Sequence, residues 1–346
     1  MQHLRHSSDE EPGFTRIRRG KGWSYHDDRG AKVDDPDIID RLNGLAVPPA
    51  YRDVWFCRDE HGHIQATGMD EKGRKQYRYH DDFRALAEAE KFAGLAEFGR
   101  RLPRIRRKVD KALRRRKLSK EQVVAAAIRL MDRHHLRVGN RQYASRNKSF
   151  GTTTLSNRHV ERLKTRIKLN FRAKHGVERD ITVTDPSLVR VLGQIEDLPG
   201  QHLFQYENGD GRVHAIDSQD VNDFLNKASR SDITAKTFRT WGASAMAMEG
   251  LLAARRDSQP VTLKSIVEPV AEMLGNTPAV TRSSYIHPDL IEAVKDRPRA
   301  PLDGFTPPSR ARKRLDRSET ALLAFLEQGD PPPKWQQRLA RRFFGR

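Results

Sequence analysis

The chain has 346 residues, and its 65 Lys plus Arg outnumber 46 Asp plus Glu to leave a formal net charge of +19. At ~150 residues per domain this is about two domains, and such an excess of base, with a pI near 10.2, points to a polyanionic partner. No apolar run approaches the ~18 residues of a membrane-spanning helix, residues 1–11 read as neither signal nor transit peptide, and the single Cys57 excludes an internal disulfide, an iron–sulfur site or a zinc finger, so a reducing cytoplasm is the expected compartment.

Residues 14–80 read as β-rich. Short alternating runs such as Trp23-Ser24-Tyr25 and Val54-Trp55-Phe56-Cys57 are separated by turn signals at Asp28-Arg29-Gly30, Asp59-Glu60-His61-Gly62 and Asp70-Glu71-Lys72-Gly73. One short helix is expected over 35–42, with Pro36 in its first turn and Gly44 just past its end. From Asp82 the pattern turns helical, rich in Ala, Glu and Leu. The domain boundary is placed near residue 90, giving a β-rich domain over 1–90 and a mostly helical one over 91–346.

Residues 100–120 are very basic, densest at Arg114-Arg115-Arg116-Lys117, which suits either a solvated helix face or phosphate contact. Ser119-Lys120-Glu121-Gln122 is a capping box. It opens a helix with Val124, Ile128 and Met131 at helical spacing, running toward Arg137 with Gly139 as its end. Strands are expected over 152–155, 166–173 and 177–183, the last two joined by a turn at Lys174-His175-Gly176. Helices resume over 219–227. Across 235–253, Phe238, Trp241, Ala245, Met248 and Leu252 form a buried helical stripe, with Arg239 off its centre. A helix over 263–274 ends at Gly275, and Thr277-Pro278 caps a short helix carrying Tyr285. From about residue 298 the chain becomes Pro- and Arg-rich, with one last helix over 319–326 before Pro331-Pro332-Pro333 and a basic tail. The fold class is α+β, and no internal repeat is visible.

Several chemistries lack their residues. There is no G-x-x-x-x-G-K-[ST] loop, since Gly20-Lys21-Gly22 has no following hydroxyl, and H-E-x-x-H and G-x-S-x-G are absent. His61 and His63 would share a strand face but have no third ligand nearby, so neither a metal nor a cofactor is expected. Asp34-Asp35-Pro36-Asp37 reads better as a helix start than as the carboxylate cluster of a metal-dependent nuclease. What remains is an ordered series: Arg137, Lys174, Lys236-Thr237-Phe238-Arg239, Gly275-Asn276-Thr277-Pro278 and Tyr285. All lie at element ends or turns, where side chains can converge.

On five strings the chain resembles the type IB DNA topoisomerases of the compact bacterial and viral branch, over about residues 16–290. They are Gln65-Ala66-Thr67-Gly68; Gly73-Arg74-Lys75-Gln76-Tyr77-Arg78-Tyr79-His80; Arg137-Val138-Gly139-Asn140; Lys236-Thr237-Phe238-Arg239-Thr240-Trp241; and Leu274-Gly275-Asn276-Thr277-Pro278 with Ser284-Tyr285-Ile286-His287-Pro288. The resemblance implies a small β-rich amino-terminal domain and a larger, mostly helical catalytic domain like that of the tyrosine recombinases. Together they would clamp duplex DNA as a monomer, in the cytoplasm at the nucleoid. It implies relaxation of supercoils through a transient 3′-phosphotyrosyl link, without ATP or metal.

The resemblance assigns roles that suit the residues. Tyr285 would be the nucleophile. A phenol, with pKa about 10, is a weak nucleophile when protonated, and its aryl-oxide is a good leaving group for resealing. Arg137 and Arg239 would hold the nonbridging oxygens, and Lys174 would protonate the departing 5′-oxygen. Asn276 stands where many relatives carry histidine; it can donate a hydrogen bond to a phosphoryl oxygen but not a proton. Lys75, Gln76, Tyr77 and Tyr79 would contact DNA, Tyr77 and Tyr79 sharing a strand face, and so would Tyr143. A packed tyrosine pair inside the β domain is the alternative for the last strand. For the whole chain the alternatives are a site-specific tyrosine recombinase, which usually carries H-x-x-R where Lys236 stands and has no counterpart of residues 65–80, and a noncatalytic DNA-binding protein, which would not need all five positions chemically competent.

Overall fold

A computed structural model describes residues 4–20, 22–296, 302–328 and 343. The chain forms two units: a first that runs to Ala93 and takes in Phe343, and a second that begins at Gly94.

The first unit contains β1 (Gly13–Arg19), β2 (Gly22–His26), α1 (Pro36–Gly44), β3 (Arg52–Cys57), β4 (Ile64–Met69), β5 (Lys75–Tyr79) and α2 (Asp81–Ala93). The strands form one antiparallel sheet in the order β2-β1-β3-β4-β5. Its apolar face, with Phe14, Val54, Phe56 and Ala66, packs with Tyr25 and with Leu42 of α1. The start of α1 follows from sequence chemistry: the Asp35 carboxylate accepts from the N–H groups of Asp37 and Ile38, and Pro36 needs no donor there. Two expected turns close on Gly30 (φ +81°) and Gly73 (φ +68°), a conformation that side chains resist. β5 is an edge strand and is largely exposed.

The second unit is mostly helical. It contains α3 (Leu95–Leu113), α4 (Lys120–His134), α5 (Arg141–Asn147), β6 (Val160–Arg162), β7 (Ile167–Arg172), β8 (Glu178–Val183), α6 (Pro186–Glu196), β9 (Gln205–Glu207), β10 (Val213–Ala215), α7 (Ser218–Ser229), α8 (Thr237–Arg256), α9 (Leu263–Leu274), α10 (Pro278–Ser284), α11 (Pro288–Asp296) and α12 (Arg317–Gln328). Phe98, Leu102, Ile105 and Val109 form the buried stripe of α3, leaving its many basic residues outward. Arg114 to Lys117 occupy the turn between α3 and α4. Among the described residues no helix is long and apolar enough to cross a membrane. Of the Pro/Arg-rich extension expected from about 298, residues 302–328 and 343 are described; Pro331-Pro332-Pro333 lie outside the described residues.

Three expectations are corrected. The helix opened by Ser119 stops at His134, because His135 turns left-handed (φ 51°); Arg137 therefore sits beyond the helix, on irregular backbone. Residues 152–155 do not form a strand. Thr152–Thr154 is one 3₁₀ turn, because the threonine hydroxyls find nearby backbone acceptors that divert them from a sheet. Finally, Arg239 is not at the margin of a stripe. Residues 238–245 of α8 are buried on every side, and Arg239 among them is only 4% exposed, whereas Leu252 at the far end of the stripe is half-buried.

The ring of Trp241 on α8 packs against Gly99 of α3. A Cβ at Gly99 would stand 2.4 Å from the Trp241 ring and 3.1 Å from Leu323 of α12. Gly99→Ala should therefore destabilise the protein by ~1–3 kcal/mol through overpacking, read as a lower urea midpoint with an unchanged slope.

Candidate active site

The site begins with backbone. The Arg137 carbonyl accepts from both the N–H (2.9 Å) and the hydroxyl (3.2 Å) of Thr152, and the Val138 carbonyl accepts from both donors of Thr153. Gly139 (φ +107°) and Gly151 pass so closely that a Cβ on Gly151 would meet Gly139 Cα at 2.6 Å. The threonine turn thus clamps the segment that carries Arg137.

Arg239 ties two further segments to that one. On the first turn of α8, its Nη1 donates to the His135 carbonyl at 2.5 Å and its Nη2 to the Leu274 carbonyl at 2.9 Å. Those carbonyls belong to the ends of α4 and α9. Gly275 ends α9 in the left-handed conformation, and the Asn276 N–H closes back on Ala271. Asn276 Oδ1 then accepts from Arg137 Nη2 at 2.8 Å, leaving its Nδ2 donor buried and without a hydrogen-bond partner among the described residues. Arg239 Nε is in the same state. Buried donors of this kind are costly unless a ligand meets them.

Tyr285 follows α10 directly, and Thr277 and Pro278 start that helix as the sequence suggests. Tyr285 caps the helix rather than riding on it. Ser244 of α8 holds it in place, its hydroxyl donating to the Tyr285 carbonyl (3.3 Å) and accepting from the His287 N–H (3.0 Å). The Arg239 guanidinium lies 5.1 Å from the phenol ring centre. Burial raises the pKa of the phenol, but the nearby charges of Arg239 and Arg137 outweigh it and the net shift is downward. Arg239 is itself pulled down to about 10, first by burial and then by Arg137, and still carries its charge at neutral pH.

Lys174 stands on the tight turn between β7 and β8, with His175 (φ 65°) and Gly176 (φ 77°) left-handed. It is exposed and makes no hydrogen bond or ion pair among the described residues. The turn's neighbours Ala173 and Val177 line the same recess as Arg137, Arg179, Arg239 and Gly275. Arg179, on β8, was not singled out in the sequence; its Nη1 donates to the Met273 carbonyl at 3.0 Å, and burial and the nearby Arg137 lower its pKa. No local pattern marks it, or Ser244, because each matters through partners distant in the chain.

The remaining expected residues lie elsewhere. On β5 of the first unit, Lys75 pairs with Asp9 and Gln76 Nε2 donates to Asp70 Oδ2 at 3.0 Å. Tyr77 and Tyr79 share a face, their rings stacked at 5.9 Å and 43% and 39% exposed. They are therefore not packed into the sheet's core. Tyr143 falls on α5, and its side chain lies outside the described residues.

The family model of the eukaryotic DNA topoisomerase I catalytic core matches residues 80–300, and that of the bacterial DNA topoisomerase IB N-terminal domain matches residues 22–70. The chain belongs to the type IB DNA topoisomerases. DNA topoisomerase 1B of Acanthamoeba polyphaga mimivirus is 32% identical over 289 residues, 79% of this chain and 84% of the relative. DNA topoisomerase 1B of vaccinia virus (strain Copenhagen) and DNA topoisomerase I of monkeypox virus are each 21% identical over 239 residues, 67% of this chain and 72% of theirs. The β-rich first unit and helical second unit are those of this family, and the chain is a type IB DNA topoisomerase enzyme that acts on DNA. The core match ends at residue 300, before α12.

Proposed function

We propose that this enzyme relaxes supercoiled duplex DNA by breaking and resealing one strand through Tyr285. The observation that carries the proposal is the gathering of Arg239, Arg137 and Asn276 near Tyr285: the Arg239 guanidinium lies 5.1 Å from the phenol ring centre and Arg137 is bonded to Asn276, and the positive charge they bring lowers the phenol's pKa against the effect of burial. The Tyr285 hydroxyl releases its proton to water as its oxygen attacks the phosphorus, the bond to the 5′-oxygen breaks, and the strand's 3′ end stays on the protein as a phosphotyrosine. Arg137 and Arg239 neutralise the nonbridging oxygens, and Asn276, held by Arg137, adds its free amide donor. Lys174 gives its proton to the departing 5′-oxygen and takes it back on resealing. Lys75, Gln76, Tyr77, Tyr79 and Tyr143 contact the duplex, and the enzyme acts as a monomer in the cytoplasm.

The bond energy stays in the phosphotyrosine, so no nucleotide is consumed. Two guanidiniums and an ammonium supply the positive charge that a metal would otherwise bring. Relaxation of both positive and negative supercoils should proceed at full rate in EDTA without ATP. Gel analysis of plasmid topoisomers tests this, and complete loss of activity in EDTA would overturn the mechanism.

A further inference from the structure

A single carboxylate outside the matched catalytic core joins the segments that carry both active-site arginines. Glu319 lies on α12 and is 5% exposed. Its Oε1 accepts from Arg106 Nη2 (2.7 Å) and from Trp241 Nε1 (2.9 Å). Its Oε2 accepts from Arg106 Nη1 (2.7 Å) and from the Asp316 N–H (2.9 Å). Arg106, on α3, spends its other donors on both oxygens of Asp132, each at 2.8 Å, and on the Arg314 carbonyl at 2.6 Å. The guanidinium is thereby fully bonded, with two bidentate carboxylates.

Each end of this unit leads to a catalytic arginine. Asp132 is in the last turn of α4, which stops at His134; the next residue, His135, receives Arg239 on its carbonyl, and Arg137 is two residues further on. Trp241 is on α8, two residues after Arg239, and its ring packs against Gly99 of α3. A shift of α12 would therefore be felt at α4 and α8 together.

We infer that Glu319 is a positioning residue for the strand-transfer reaction: through Arg106–Asp132 and through Trp241 it sets the placement of Arg137 and Arg239. The inference rests on the proposed role of those arginines. Buried bonds of this kind define geometry more than they add stability, and small displacements of charged groups in a reacting site are costly in rate.

The test uses the full-length protein, with Glu319→Gln and Trp241→Phe. Glutamine cannot offer acceptors to Arg106 and Trp241 without turning an N–H toward one of them, and phenylalanine removes the indole donor while keeping a ring. Single-turnover cleavage at saturating duplex, well below the melting temperature, should slow about 10-fold or more in Glu319→Gln. Duplex affinity should stay near that of the unaltered protein, because the altered group is buried. The defect should persist when the bridging 5′-oxygen is sulfur, as an arginine defect does. Glu319→Gln combined with Trp241→Phe should lose less than the product of the two losses, since they share one bond. A lowered melting temperature with unchanged cleavage in both variants would overturn the inference and leave Glu319 a stabilising residue only. Arg239→Ala is the control. If it also cleaves normally, the proposed role of the arginines fails, and the inference falls with it.

Discussion

Tyr285→Phe should abolish the covalent DNA adduct and all relaxation while the protein still binds duplex. The substitution removes one oxygen from a ring that is half-buried beside Arg239, and it leaves the caps of α10, the Ser244 bond to the backbone and both arginines in place. One lost hydrogen bond changes binding by ~0.5–1.5 kcal/mol, which is small beside a phosphate-driven affinity. That affinity should fall steeply with salt, each phosphate contact contributing ~0.9 to the log–log slope, and the slope should be the same for both proteins. The measurement is denaturing electrophoresis of duplex labelled on the side that keeps the 3′ phosphate. A Tyr285→Phe protein that still became attached to that strand would place the nucleophile elsewhere.

Much of the fold could be read from residue chemistry close in sequence. The Asp35-Pro36 start of α1, the Ser119 start of α4, the Gly275 end of α9 and the Thr277-Pro278 start of α10 are all local devices, and all stand where the sequence puts them. The ends that were misplaced have tertiary causes. α4 stops early at His134, and the carbonyl of the next residue, His135, is taken by Arg239 from about a hundred residues away, a partner that no local pattern shows. The run Thr152-Thr153-Thr154 has strand-like composition, yet the hydroxyls of Thr152 and Thr153 serve the Arg137 segment and that of Thr154 bonds Gly151. α5 and the short strands β6, β9 and β10 carry too few apolar repeats to stand out, but that does not hold for α6, where Leu188, Val191, Leu192 and Ile195 recur at helical spacing behind an Asp185-Pro186 start.

The same division applies to the site. Arg137, Arg239, Asn276 and Tyr285 are brought together as a group, and their order along the chain made them recognisable. Their burial did not. A guanidinium with 4% exposure inside an apolar helix is unusual, and the explanation lies in two helix-end carbonyls that take its donors. Arg106, Asp132 and Glu319 are each unremarkable in sequence, since a surface ion pair on a helix reads the same way, and Trp241 shows there as part of a buried stripe but not as a donor to a carboxylate. Only the fold shows that one guanidinium holds two carboxylates.

Lys174→Ala should slow strand cleavage by ~10²–10⁴-fold, the usual weight of general acid catalysis. The structure is compatible with a proton donor that acts only on bound DNA. Lys174 projects from a two-strand turn, is exposed, and has no partner among the described residues that would hold it away from the recess lined by its neighbours Ala173 and Val177. A substrate with sulfur in place of the bridging 5′-oxygen separates this role from electrostatic stabilisation. A thiolate leaves without a proton, so the Lys174→Ala defect should largely vanish on that substrate. Arg239→Ala removes a charge from the nonbridging oxygens, which the sulfur does not replace, so its defect should remain. Because Lys174 lies on a turn whose geometry is set by His175 and Gly176 in the left-handed region, alanine there leaves the backbone unstrained, and the loss of rate can be assigned to the missing ammonium. An equal Lys174→Ala defect on both substrates would mean that the lysine positions the phosphate and that the proton comes from another donor.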